Sequence, residues 1–212
     1  MARVRKIPKN PPKSRRNYFL ADASFLAEKY LPIGGAPTPA DAQRTRECHT
    51  WWREIDRQVA SERARVYIPD VCIAEAFKVL AKKYYQDNVL ASPYDLKVAR
   101  DRLSDDITLT HKQLKKQKRY IPYHDLPTTR DVIVSIDRFY ELFLKHNFSV
   151  GVVDLILVAS AKYLMDFHDA ERAQLHIVTL DRPLWRGTKK VTELPNAYDP
   201  TQPTDTFSRI FR

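Results

Sequence analysis

The chain has 212 residues, a formal charge of +10 and 43% hydrophobic content, which suits one domain with a sizeable core and argues for a folded globular protein rather than a disordered one. No apolar run reaches the roughly 20 residues that span a bilayer, and the basic N-terminus lacks the apolar core of a signal peptide, so no membrane contact is expected. Two cysteines, Cys48 and Cys72, are too few for a disulfide framework and lack metal-site spacing, which points to a reducing, cytoplasmic location.

The charge is unevenly placed. Residues 1–16, "MARVRKIPKNPPKSRR", hold seven Lys or Arg, three prolines and no acid. This segment is expected to be a disordered basic arm that adds salt-dependent affinity for phosphate backbones. The domain proper is expected over 17–195, with 196–212 as a C-terminal tail of turn residues and a basic aromatic end, poorly ordered.

Along the chain, Tyr18 to Ala21 is a short apolar strand ending at Asp22. "TPAD" (Thr38–Asp41) opens a helix, with Thr38 as N-cap, Pro39 first in the helix and Asp41 completing a variant capping box. Cys48, Trp52, Ile55 and Val59 fall on one face, so this helix is expected to run to about Ala64, with Trp51 and Trp52 packing in the core rather than stacking on bases. "VYIPD" (Val66–Asp70) is a second strand, and Asp70 caps a helix containing Val71–Tyr85. "SPYD" (Ser92–Asp95) repeats the cap pattern and starts a long amphipathic helix to about Lys118, read as a helical insertion. "YIPY" (Tyr120–Tyr123) is a candidate third strand, and a helix follows from about Thr129 to His146. Ser149 is the expected cap of the next helix, "LHIVT" (Leu175–Thr179) is a buried strand, and "KVTEL" (Lys190–Leu194) a weak one. Strands alternating with capped helices indicate an α/β domain around a parallel sheet.

Four acids sit in apolar segments at equivalent topological places. Asp22 and Asp181 end strands, where open α/β sheets bind ligands. Glu75 and Asp154 are each expected in the second turn of a helix, five residues after the expected caps Asp70 and Ser149, near a positive helix end. A lone carboxylate among apolar neighbours costs several kcal/mol unless something satisfies it, and four that converge would not all ionise without a cation. Hard oxygen ligands select Mg²⁺ or Mn²⁺, and the commonest use of such a cluster is phosphodiester cleavage.

"FLADASFL", "IPDVCIAEAFKVL", "VVDLILVASAKYL" and "IVTLDRPLW", in that order, resemble the PIN-domain family of metal-dependent ribonucleases over roughly residues 17–190. The resemblance implies a three-layer α/β/α fold with a small parallel central sheet and an endoribonuclease that uses Mg²⁺ or Mn²⁺. It makes Asp22, Glu75 and Asp154 the family's three acids and Asp181 its often-present fourth. Ser24 matches a polar position that supports the first acid in the family, and Thr179 a frequent Ser/Thr whose hydroxyl faces the site. Ala23 stands where the family often has Thr or Ser, and the insertion and basic arm are extra to a compact VapC-type toxin. Expected partners are RNA and an antitoxin, another protein or a second copy of the chain. The alternatives kept open are a non-catalytic RNA-binding scaffold and a protein-interaction module acting through the long helix.

Lys112, Lys115, Lys116, Lys118 and Arg119, with Arg186, Lys189 and Lys190 close after Asp181, are the candidate RNA contacts. The six histidines show no ligand spacing, and the four glycines form no nucleotide-cradling loop.

Overall fold

A computed structural model of the chain describes residues 16–107, 123–202 and 205–211. The expected arm, but for Arg16, lies outside the described residues, as do Lys112, Lys115, Lys116, Lys118 and Arg119.

Five strands form one all-parallel sheet in the order β3-β2-β1-β4-β5: β1 Asn17–Ala21, β2 Ala64–Pro69, β3 Tyr123–Leu126, β4 Leu175–Val178 and β5 Asn196–Tyr198. Central strands of such a sheet are covered on both faces, so they read as unbroken apolar runs rather than alternating ones. The run Phe19–Leu20–Ala21 is wholly buried, as is Leu175 to Val178. The chain moves outward from β1 to β2 and β3, then returns to the other side of β1 to lay down β4 and β5. A switch point therefore opens between the carboxyl ends of β1 and β4, where Ala21 pairs with Val178.

The connecting helices are α1 Ala23–Glu28, α2 Pro39–Ala60, α3 Asp70–Tyr85, α4 Pro93–Ile107, α5 Arg130–Lys145, α6 Val152–Phe167, α7 Arg182–Thr188 and α8 Asp205–Ile210. Trp52 stacks on Phe25 with ring centroids 4.6 Å apart and donates its indole N–H to the Phe25 carbonyl, so it belongs to the core. Trp51 is buried against Phe207 and Phe211. Among the described residues no helix is long and apolar enough to cross a membrane.

Several boundaries differ from the sequence expectation. Helix α2 does stop short of Ala64: Glu62 takes a left-handed backbone (φ 58°) and turns the chain so that Ala64 can pair with Asn17. The strand expected at Tyr120–Tyr123 instead runs from Tyr123 onward, and its first residues lie outside the described ones. Gly151, not Ser149, is the N-cap of α6, with the Asp154 carboxylate accepting the Gly151 N–H at 3.1 Å. "KVTEL" forms no strand. Val191 and Leu194 are buried from a loop, and the strand comes at Asn196–Tyr198 instead. The segment expected to be a loose tail is part of the fold, since Ile210 and Phe211 are buried and Phe211 stacks on Phe19 at 5.7 Å. The expected long helix is described as α4 to Ile107, capped by Ser92, whose hydroxyl accepts the Asp95 N–H at 3.1 Å. The remainder of that expected helix lies outside the described residues.

Candidate active site

Asp22 and Asp181 stand at the switch point. Asp22 is the N-cap of α1, and its carboxylate accepts the Ala23 N–H at 2.6 Å. It also accepts a hydrogen bond from the Thr179 hydroxyl at 3.1 Å. That hydroxyl oxygen accepts the Asp181 N–H at 2.9 Å in turn, so Thr179 ties the ends of β1 and β4 together. Asp181 caps α7 by accepting the Leu184 N–H at 2.6 Å. Asp154 sits in the first turn of α6, closer to the helix end than the Ser149 cap would have put it. Glu75 projects from the second turn of α3 and is half-buried.

Asp22 and Asp154 feel the charges of their neighbours. Burial pushes the Asp22 carboxyl up to about 7, the Asp154 charge adds to this and Glu75 a little more, against the lowering hydrogen bonds from Thr179 and Ala23. Burial likewise raises Asp154 to about 6, with Asp181 and Glu75 adding to it and the Gly151 N–H opposing. Desolvation and like charge together disfavour the ionised form, so the group of acids is short of positive charge. Among the described residues no group of three or more His, Cys, Asp or Glu is arranged to hold a metal ion as the side chains stand. The donor chemistry nevertheless suits a hard divalent cation: all are carboxylates, and two of them, Asp22 and Asp154, are held back from ionising by burial and by neighbouring like charge.

Ser24 is half-buried in the first turn of α1 and faces the cleft beside the site. Arg186, Lys189 and Lys190 are exposed at the end of α7 and just after it, and Lys189 lies 4.0 Å over the Trp185 ring. Sequence reasoning missed Cys72. It is fully buried, and burial together with the charges of Asp22, Glu75 and Asp154 raises its thiol well above the usual value, so it backs the site as a neutral group. Its place two residues after Asp70 on α3 carried no spacing signal. Gly151 was missed too, since a glycine cap leaves no side-chain pattern to read.

No protein-family pattern and no curated protein matches the chain. Solved structures do. A structure of FitAB bound to an IR36 DNA fragment is similar over 88% of this chain and 97% of that one, at 13% identity and a TM-score of 0.51. A crystal structure of VapBC2 from Rickettsia felis bound to a DNA fragment from their promoter is similar over 86% of this chain and 98% of that one, at 8% identity and a TM-score of 0.50. The likeness is one of architecture: the chain has the PIN-like α/β fold, a five-stranded parallel sheet flanked by helices.

Proposed function

We propose that the chain is an endoribonuclease that hydrolyses RNA phosphodiester bonds with Mg²⁺ or Mn²⁺. The observation that carries this reading is electrostatic: Asp22 and Asp154 are both raised out of the usual carboxylate range, Asp22 by burial and the charges of Asp154 and Glu75, Asp154 by burial and the charges of Asp181 and Glu75. Asp22, Glu75, Asp154 and Asp181 would hold the cation, which supplies Lewis acidity at the scissile phosphate and makes bound water acidic. Thr179 orients Asp22 and fixes the backbone of Asp181. The N–H groups of Gly151 and Leu184 hold the carboxylates of Asp154 and Asp181 in place before substrate arrives. Arg186, Lys189 and Lys190 lie close after Asp181 and would draw in the RNA backbone.

FitAB and VapBC2 are assemblies seen on DNA. By that analogy of fold the chain would be the nuclease member of a toxin–antitoxin pair, with an antitoxin or a second copy as protein partner. Incubation of total RNA with the purified chain, in Mg²⁺, Mn²⁺ or EDTA, tests the activity. Cleavage with either cation that is lost in EDTA and in Asp154→Asn is the expected result. Equal cleavage by Asp154→Asn would remove the acids from the mechanism. A second reading, an RNA-binding scaffold without turnover, accords with the finding that among the described residues no three such side chains are arranged to hold a metal as they stand, and binding without any cation-dependent cleavage would select it.

A further inference from the structure

A cleft of about 320 Å³ is walled by the chain neighbours of three of the acids: Ser24, two residues after Asp22, Val79, one helical turn after Glu75, and Leu180, next to Asp181. That volume is at the lower end of small-molecule sites. Two of these walls are apolar. Arg44 from α2 and Lys82 and Lys83 from α3 line the same cleft.

The cleft's carboxylates are already engaged. Glu28 is buried and bonded by Arg44 at 3.2 Å and by the Thr45 hydroxyl at 2.7 Å. Asp199 accepts the N–H and hydroxyl of Thr201 at 2.9 and 2.8 Å. Asp87 is paired with Lys83 at 2.8 Å. Lys82 is exposed, and among the described residues no carboxylate stands within ion-pair distance of it. It lies two helical turns from Glu75 on the same face of α3, because residues seven apart nearly superpose around a helix.

We infer that this cleft is the seat of the RNA nucleotide next to the scissile one, its base between Val79 and Leu180 and its phosphate on Lys82. The inference rests on the ribonuclease reading for its substrate class. An apolar wall meets any base face without reading it, so the van der Waals contact carries affinity and the lysine carries the salt dependence. Lys82 is thus a positioning residue, separate from the acids.

The test is equilibrium binding of a fluorescein-labelled hexauridylate, and of its abasic counterpart, to the full chain in metal-free buffer across a salt series. Lys82→Gln should weaken both probes about fivefold at low salt and lower the salt slope by about 0.7, the contribution of one single-strand phosphate. Lys162→Gln, which removes a charge two turns beyond Asp154 on α6, should leave the slope unchanged. Leu180→Ala should weaken the base-bearing probe about fivefold and the abasic one hardly at all, and Leu180→Met, which keeps the apolar wall, should bind both as the parent does. An unchanged slope in Lys82→Gln overturns the inference, as does an equal effect of Leu180→Ala on the two probes, or a parent chain that binds neither. Hexamer binding of this pattern without cutting in Mn²⁺ would remove the nuclease reading and keep the cleft. Cutting with an unaltered slope in Lys82→Gln would do the reverse.

Discussion

Asp154 has only backbone help, the Gly151 N–H, to offset burial and the charges of Asp181 and Glu75. Its carboxyl, raised to about 6, binds a proton more readily in the fold than in the unfolded chain. The stability this lends is full below about pH 4 and is lost as pH rises through 6. The lost amount is at most about 3 kcal/mol, and partial exposure screens it to about 1–2 kcal/mol. Asp154→Asn should therefore melt about 2–6 °C higher than the parent at pH 8 without metal, and alike at pH 4. Mn²⁺ should raise the melting temperature of the parent and not of the variant, a readout that needs no substrate. His176 gives the opposite sign. It is packed against Phe19 and Tyr198, and burial lowers its imidazole to about 3. Being neutral in the fold and protonated when unfolded, it removes stability as pH falls from about 6.5 towards 3. His176→Phe should flatten that acid limb, losing about 2 kcal/mol less than the parent between pH 7 and pH 5 in urea titrations. An identical slope for both would show that His176 is not the titrating group. The four acids could be picked out from the sequence because each interrupts an apolar run, whereas nothing around His176 in "LHIVT" distinguishes a buried imidazole from a surface one.

At the scale of elements, one cation pins four of them. Lys29, at the end of α1, is 3.0 Å from Asp106 of α4 and 3.5 Å from Asp56 of α2, and it bonds the hydroxyl of Tyr123 at the start of β3. Tyr123 donates to Asp56 at 2.5 Å and Tyr30 to Asp106 at 2.9 Å, while the lysine ammonium lies 4.3 Å over the Tyr123 ring. Removing the charge would leave two carboxylates facing each other's phenols, and burial with those carboxylates already raises both tyrosines. Lys29→Met is expected to cost about 2 kcal/mol, short of a fully buried pair because Asp56 is 43% exposed. Lys29→Met combined with Asp106→Leu should recover part of the loss in a double-mutant cycle, and strict additivity would deny the coupling. Such a knot is invisible in sequence, since its members come from separate elements far apart along the chain. Caps, by contrast, are local. Thr38, Ser92 and Thr129 each accept an N–H three residues on, as their Ser/Thr spacing announces. Gly151 fails that pattern because its cap is made by the carboxylate at the third helical position reaching back.

For the whole molecule, the parallel sheet was legible because its central strands are continuous apolar runs, and Asp22 and Asp181 because they follow the ends of the two strands that flank the switch point. The cations of the cleft were not legible, since Arg44 and Lys82 reach it from different helices and each looks like an ordinary surface charge in its own segment. Charge distribution is the remaining property read at this scale. Residues 1–15 hold six Lys or Arg and no acid, against a total of +10. Arg16 bonds the Glu62 carbonyl at 3.0 Å and Asn17 begins β1, so a cut after residue 15 keeps every sheet contact made among the described residues. The truncated chain should melt at the parent temperature. Its affinity for single-stranded RNA should fall, and the slope of log affinity against log salt should flatten by about 0.7 for every phosphate the removed residues neutralised. Turnover at saturating RNA should change little, because none of the four acids and none of the cleft residues lies in the removed segment. Unchanged affinity and slope would assign RNA binding to the body of the molecule alone, to Lys82 in its cleft and to Arg186, Lys189 and Lys190 at the end of α7.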